Sequence, residues 1–206
     1  MKVLLINGSP HEKGCTYTAL SLIAGELNAQ GIETEILHVG GQPVGGCIGC
    51  GGCRSGNGCV FGGVVNEAIE KAKTADAFVF GSPVHYASAA GNMASFMDRL
   101  AYAGGKYLAY KPAAVCCSAR RAGTTSTLDQ LVKYPQFFQM PLVNGSYWAM
   151  VHGSNPEQVL QDAEGCAVMQ ELGRNMAWLL RCIEAGKAAG IDHPQNPPRP
   201  MTSFIR

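Results

Sequence analysis

Short apolar runs alternate along the chain with longer segments in which apolar residues recur every three or four positions. Short apolar runs that end at turn-forming residues predict buried β-strands, whereas the longer period predicts amphipathic helices. Strands are predicted over residues 2–6, 33–39, 76–83, 113–117 and within 140–148, and helices over residues 16–29, 64–74, 92–102 and 156–186. Asn155 followed by Pro156 matches an N-cap with proline at the first position of the last helix.

This alternating order predicts an α/β fold with a doubly wound, parallel, five-stranded sheet and helices on both faces. A chain of 206 residues is long enough to bury a core as one domain. We assign residues 1–190 to this domain and the proline-rich residues 191–206 to a C-terminal tail. Ligands of such sheets bind beyond the carboxyl ends of the strands. The loops after strands one to four are therefore predicted to open on one edge.

Charge and hydropathy narrow the classes of function. The net charge is +1, with 16 Lys and Arg against 15 Asp and Glu, so no basic field would attract nucleic acid or anionic lipid. No apolar stretch approaches the ~20 residues of a membrane span, and the start of the chain does not match a signal peptide. Nine cysteines in such a chain favour a reducing compartment and thiol chemistry rather than disulfides. We therefore predict a cytoplasmic protein without nucleic-acid or membrane partners.

The loop after the first strand, NGSPHEKGCTYT, leads small and hydroxyl residues into the start of a helix. Free backbone N–H groups and the helix dipole at such a terminus favour a phosphate group. The loop matches neither the P-loop nor the G-x-G-x-x-G fingerprint. An ordinary capped helix start is therefore the alternative interpretation.

The loop after the third strand, GSPVHYASAAG, places two aromatic side chains beside small residues. His85 and Tyr86 follow Pro83 and Val84 directly, an arrangement that suits packing against a planar ring. A buried aromatic turn is the alternative, and periodicity does not separate the two.

Three segments, GSPHEKGCT, SPVHYASAAGNMASFMDR and SARRAGTTSTLDQL, together resemble the flavodoxin-fold NAD(P)H-dependent FMN reductase family. The resemblance runs over nearly the whole chain and implies the strand order 2-1-3-4-5, FMN as cofactor and NAD(P)H as co-substrate. It also implies that the first loop holds the FMN phosphate, the second packs on the isoalloxazine ring and the third lines the pyrimidine edge of the ring. The implied contacts are Ser9, Gly14, Cys15 and Thr16 in the first loop, Pro83, Val84, His85 and Tyr86 in the second, and Ser118, Ala119, Arg120, Arg121 and Gly123 in the third.

Two positions depart from the family pattern. His11 stands where many relatives have arginine, and Cys15 stands where they have asparagine or serine, although backbone donors survive both changes. Arg120 and Arg121 have three interpretations: positive charge that stabilises the reduced ring, a binding site for the phosphate of NADPH, or two solvated surface residues.

Cys47, Cys50, Cys53 and Cys59 follow one another as C-x2-C-x2-C-x5-C in a glycine-rich stretch. Short spacers let thiolates converge on an iron–sulfur cluster, whereas structural zinc sites more often use two separated pairs. The spacing resembles the compact motif of the iron-sulfur flavoproteins, a branch of the same fold, which implies that these four cysteines ligate a 4Fe-4S cluster. A dimer-contact turn without a cluster is the alternative.

The leading prediction is an FMN-dependent oxidoreductase that passes electrons from NAD(P)H, or from reduced ferredoxin through the cluster, to flavin, quinone or oxygen. No side chain is predicted to act as a catalytic acid or base, because the flavin N5 performs the hydride chemistry. A flavodoxin-like electron carrier between protein partners and a flavin-free zinc module are the alternatives. A cluster on the edge strand would lie far from the ring of its own chain, so we expect a homodimer or homotetramer. Cys116 and Cys117 are predicted to be core thiols.

Overall fold

The computed structural model describes residues 1–204 and shows an open, twisted sheet covered by helices on both faces. The strands are β1 (Lys2–Asn7), β2 (Glu33–His38), β3 (Ala77–His85), β4 (Ser88–Ala89), β5 (Ala113–Ala119) and β6 (Met150–His152). They lie in the order β2-β1-β3-β5-β6 and are parallel, while β4 pairs with β3 as an antiparallel hairpin. The flavodoxin-like fold is confirmed. The count of five strands is wrong, because β3 turns back on itself and adds β4.

The helices pack on the two faces according to the alternation of side chains along the strands. They are α1 (Cys15–Ala29), α2 (Val64–Thr74), α3 (Gly91–Gly104), α4 (Thr124–Phe137), α5 (Pro156–Val159) and α6 (Ala163–Ala188). In β1, Val3 and Leu5 belong to the core under α1 and α6, whereas Leu4 and Ile6 belong to the core under α2 and α3. Strands buried on both faces read as continuous apolar runs, which explains why these strands are visible in the sequence.

The prediction of a fifth strand within residues 140–148 is wrong. This segment runs beside β5 with only an isolated bridge between Leu142 and Ala113. The turn-forming stretch NGS then bends towards α6, where Glu171 Oε2 accepts a hydrogen bond of 2.7 Å from Ser146 N. Regular pairing with β5 resumes only at β6.

The predicted helix over residues 156–186 is two helices, because the chain turns before Asp162. The Asp162 side chain caps α6 by accepting a hydrogen bond of 2.9 Å from Gly165 N. The predicted N-cap of α5 is confirmed, since Asn155 Oδ1 accepts a hydrogen bond of 2.9 Å from Gln158 N. None of the helices within residues 1–204 is long and apolar enough to cross a membrane.

After α6, residues 191–204 continue without helix or strand, and residues 191–194 lie at the amino edge of the sheet. The ring of His193 stacks on Tyr110 with centroids 4.4 Å apart, and Asn196 Nδ2 donates to Tyr110 Oη at 2.7 Å. The division into residues 1–190 and a separate tail stays a prediction, and Ile205 and Arg206 of that tail lie outside the described residues.

Candidate functional site

The first predicted loop is a compact turn held together by hydrogen bonds from its own side chains. Asn7 Oδ1 accepts a hydrogen bond from Ser9 N (3.1 Å), and Asn7 Nδ2 donates to Glu12 O (2.9 Å). Ser9 Oγ, which is buried, accepts from His11 N at 3.1 Å. His38 of β2 supports the loop from the side, with its Nε2 2.8 Å from Ser9 O. Asn7 and His38 are parts of the site that the sequence analysis does not single out.

The start of α1 fits an anionic group. Gly14 is its N-cap without a side-chain cap, and the first turn holds no acidic residue. Within residues 1–204, no acceptor pairs with the backbone N–H of Thr16 or Tyr17. Unpaired first-turn donors at the positive end of a helix dipole bind phosphate well. The residues present therefore fit the phosphate end of FMN through backbone donors.

The first and third loops meet through a pair of buried hydroxyl groups. Thr16 Oγ1 lies 2.8 Å from Ser118 Oγ, and both side chains are shielded from solvent. Cys15 turns inward, where its Sγ donates to Gly153 O at 3.5 Å and burial raises the pKa of its thiol. The side chains of Cys15 and Thr16 are therefore used in packing, which leaves the backbone of this turn as the ligand-facing surface.

The second loop is a strained hairpin rather than an irregular loop. Pro83, Val84 and His85 belong to β3, which extends further than the predicted strand. Tyr86 and Ala87 form the turn with φ values of 51° and 60°. Positive φ at both central residues is the type I′ geometry that asparagine and glycine normally supply. Each such residue costs roughly 1–3 kcal/mol, and strain of this kind clusters at functional sites.

This hairpin holds its aromatic side chains in solvent. Tyr86 is fully exposed, with a relative accessibility of 105%, and His85 is exposed as well. The alternative of a buried aromatic turn is therefore wrong. An exposed aromatic residue is suited to stacking on a planar ligand.

The third loop touches the hairpin. Ser118 and Ala119 are the last residues of β5 rather than loop residues. Gly123, the N-cap of α4, lies against the hairpin, and Ser126 Oγ donates to Ala87 O at 2.7 Å. Arg120 and Arg121 are exposed and make no hydrogen bond or ion pair with any described residue. Their guanidinium groups are therefore available to an anion at this edge.

Cavities in the described structure can be compared with the position of the three loops. Two cavities lie elsewhere: one of about 750 Å³ at the amino edge beneath the tail, and one of about 420 Å³ between α4 and residues 144–149. At the carboxyl edge, the three loops converge around exposed side chains.

The cysteine loop also opens on this edge, directly after β2. Asn92 of α3 fixes its first part, because its Nδ2 donates to Gly40 O (3.2 Å) and its Oδ1 accepts from Val44 N (3.2 Å). At the far end, Cys59 N donates to Asn66 Oδ1 at 2.8 Å. Neither asparagine stands out in the sequence, since the partners of both are backbone groups of an irregular loop.

The thiols of the cysteine loop lie apart in the described structure. All nine cysteines are free thiols. Within the described range 1–204, no group of three or more His, Cys, Asp or Glu side chains is close enough to hold a metal ion. The residue types and spacing suit iron–sulfur chemistry, but the thiols do not converge. The assignment of Cys47, Cys50, Cys53 and Cys59 as cluster ligands therefore stays a prediction.

The other pair of neighbouring cysteines lies in the core. Cys116 and Cys117 of β5 are completely buried, and burial raises the pKa of the Cys117 thiol to about 12. Since only the thiolate is nucleophilic, we expect iodoacetamide at mildly alkaline pH to modify Cys47 and Cys50 while Cys116 and Cys117 stay unmodified. Peptide mass spectrometry measures each site, with guanidinium-unfolded protein as the control. Labelling of Cys116 in folded protein would contradict the burial.

A match to the family described as NADPH-dependent FMN reductase covers residues 1–155. The chain belongs to the NADPH-dependent FMN reductase family. The matched range holds β1 to β6 and all three loops of the carboxyl edge. The resemblance inferred from GSPHEKGCT and the two later segments is therefore confirmed at the level of the family.

The chain is also similar to individual flavoproteins. An iron-sulfur flavoprotein of Methanocaldococcus jannaschii is 27% identical over 192 residues, which are 89% of this chain and 100% of that relative. The crystal structure of RosB with bound 8-demethyl-8-formylriboflavin-5′-phosphate superposes with a TM-score of 0.70 at 14% identity, over 100% of this chain and 96% of RosB. A flavodoxin from the domain Archaea reaches a TM-score of 0.60 at 14% identity, over 88% of this chain and 99% of the flavodoxin. At such identities, the two structures are similar to this FMN reductase family member in fold alone.

Proposed function

We propose that this protein is an FMN-dependent oxidoreductase that takes electrons from NAD(P)H and passes them to a small acceptor such as flavin, quinone or oxygen. The observation that carries the proposal is the continuity of the carboxyl edge. Thr16 and Ser118 join the first loop to the third at 2.8 Å, and Ser126 joins the third to the hairpin at 2.7 Å. One surface therefore offers an anion site, an aromatic platform and two free guanidinium groups. Membership in the FMN reductase family supports the same ligand.

The chain divides the binding of FMN between backbone and side chains. The first turn of α1 would bind the phosphate with unpaired N–H groups. Pro83, Val84, His85 and Tyr86 would support the ring, and the last residues of β5 with Gly123 would border its pyrimidine edge. Bound FMN supplies the hydride chemistry, which the protein tunes through charge and hydrogen bonds. Arg120 and Arg121 are the cations placed to provide that charge or to bind the phosphate of NADPH.

The first test compares two flavins that differ only in the phosphate. We expect apoprotein to bind FMN at least about tenfold more tightly than riboflavin, because charge-assisted hydrogen bonds to a phosphate contribute more than about 1.4 kcal/mol. Quenching of flavin fluorescence measures both affinities. Equal affinity for the two flavins would contradict the phosphate site at α1.

The second test separates an enzyme from an electron carrier. FMN-loaded protein is expected to consume NADPH or NADH steadily when a small acceptor is present. If it binds FMN but oxidises neither nucleotide, the alternative of a flavodoxin-like carrier between protein partners replaces the enzyme. The near-neutral net charge of +1 argues against that carrier, since electron-transfer partners are usually steered by strong opposite charge.

We also propose a 4Fe-4S cluster at Cys47, Cys50, Cys53 and Cys59, supplied with electrons by ferredoxin and held in a homodimer or homotetramer. The proposal is supported by the spacing of these cysteines and by the name of the Methanocaldococcus jannaschii relative, an iron-sulfur flavoprotein. It requires the thiols to move together from their described positions. Iron and acid-labile sulfide analysis after anaerobic reconstitution tests it. The absence of both would end the cluster proposal while leaving the FMN site untouched.

A further inference from the structure

Arg99 is a buried cation without an acidic partner. It lies on α3 with a relative accessibility of 6%. No carboxylate among the described residues forms an ion pair with it. Burying a charge is costly unless it is compensated by hydrogen bonds or an opposite charge. The contacts that do compensate this charge therefore identify its role.

All of those contacts lie in the cysteine loop. Arg99 Nη1 donates to Gly45 O at 3.4 Å and Nη2 donates to Gly62 O at 3.0 Å. The Nε group donates to Cys59 Sγ at 3.3 Å, and the Phe61 ring lies 5.4 Å from the guanidinium carbon. Gly45 and Gly62 flank a segment, residues 46–61, that contains the four clustered cysteines. One guanidinium thus donates hydrogen bonds to the residues at both ends of this cysteine segment.

The four cysteines are held unequally within the segment. Cys59 is fixed from two directions, by Arg99 at its sulfur and by Asn66, which accepts from its N at 2.8 Å and donates to its O at 3.0 Å. Cys47 and Cys50 are exposed. The segment therefore has one anchored thiol next to a positive charge and a part that extends into solvent.

We propose that Arg99 is a positioning residue for the cysteine segment, which ties both ends of the segment to α3 and holds the Cys59 sulfur beside a buried positive charge. A neutral thiol is only a weak acceptor, whereas a thiolate that ligates a metal forms a charge-assisted hydrogen bond. The guanidinium has no carboxylate partner among the described residues. It therefore suits a metal group that is bound by several thiolates and carries net negative charge. This last step rests on the proposed metal site, but the role of Arg99 in holding the segment does not.

Three variants test the proposal. Arg99→Met removes the charge and the hydrogen-bond donors but keeps a side chain of similar length. Arg99→Lys keeps the charge but loses the planar set of guanidinium donors. Arg54→Met is the matched control, because Arg54 is an exposed cation of the same segment whose side chain has no described hydrogen bond. Circular dichroism and thermal unfolding first establish that each variant is folded.

Hydrogen–deuterium exchange is the readout for positioning. We expect exchange of peptides covering residues 45–62 to be about tenfold faster in Arg99→Met, because hydrogen bonds from a charged group are lost. Peptides from β1 and β3 serve as internal references and should not change. Arg54→Met should exchange like the wild type. Unchanged exchange of the segment in Arg99→Met, or equal acceleration in Arg54→Met, would overturn the proposal.

Cobalt supplies a spectroscopic readout at the thiols that a general loss of stability would not reproduce. Metal-free, reduced protein is titrated anaerobically with Co²⁺, and sulfur-to-cobalt charge-transfer absorption is recorded. We expect Arg99→Met to lower the apparent affinity at least about tenfold and Arg99→Lys to restore part of it. If the wild type gives no such absorption, the proposed thiolate metal site fails, and the exchange experiment alone decides the role of Arg99. Equal cobalt affinities in wild type and Arg99→Met would refute the charge-pairing part.

Discussion

Replacing Gly40 with alanine is expected to disrupt the phosphate end of the site. A Cβ atom at Gly40 would lie 2.1 Å from Ser9 O and 2.6 Å from Gly8 O. Both neighbours are backbone atoms, so no side chain can rotate away, and the first loop must move. We expect the free energy of unfolding to fall by at least about 3 kcal/mol, the upper part of the range for overpacking. FMN affinity should fall at least about tenfold, since the α1 turn loses its position.

Gly45→Ala is the matched control for this substitution. Gly45 lies in the same loop, and a Cβ atom there would meet no atom within 4 Å. Its free energy of unfolding should stay within about 0.5 kcal/mol of the wild type, with unchanged FMN binding. Guanidinium unfolding with linear extrapolation measures the first quantity, and flavin fluorescence measures the second. A Gly40→Ala protein as stable as Gly45→Ala would show that the two loops are not in contact as described.

The sequence predicts the parts of this fold that bury apolar residues by simple alternation. The central strands are clear because both faces are covered, as the complete burial of Val79 and Phe80 illustrates. The position of the candidate site follows from the order of the elements, since parallel strands place their following loops on one edge. The resemblance to a family then suggests which ligand binds there, because the hydrophobic pattern carries no information about the ligand.

Other parts are not visible in the sequence because distant partners create them. The buried face of α4 includes the hydroxyl groups of Thr124 and Thr127 and the ring of Pro135, so it lacks the apolar stripe that predicts a helix. The two residues of β4 form a strand only because the hairpin folds back on β3. A strand of two residues is too short to show a hydrophobic pattern in the sequence.

The residues that support the site are hidden for the same reason. Asn92 and Arg99 are seven positions apart on α3, about two turns, and so lie on the same face of the helix. Their partners are backbone N–H and carbonyl groups and one sulfur in a loop far away in sequence. An arginine among the buried positions of α3 is a usable signal, but the sequence alone does not show that it lacks an acidic partner.

The second large effect is expected at Gly123, where the third loop meets the hairpin. Gly123 has a φ of +94°, and a Cβ atom there would lie 2.7 Å from Ala87 Cα and 2.9 Å from Val84 Cγ1. Gly123→Ala therefore combines left-handed strain of about 1–2 kcal/mol with overpacking of about 1–3 kcal/mol. We expect a loss of about 2–4 kcal/mol in the free energy of unfolding and weaker FMN binding, because the hairpin that carries Tyr86 is pushed away from β5.

Gly31→Ala separates the two contributions. Gly31 has a similar φ of +77°, but a Cβ atom there would meet nothing within 4 Å, and the residue lies between α1 and β2 at the opposite edge. It should lose only the strain of about 1–2 kcal/mol and bind FMN like the wild type. The difference between the two variants then measures the contact between the hairpin and the third loop. If both variants lose equal stability and both bind FMN normally, that contact does not position the ring, and the aromatic platform of the proposed site would have to be sought elsewhere on the edge.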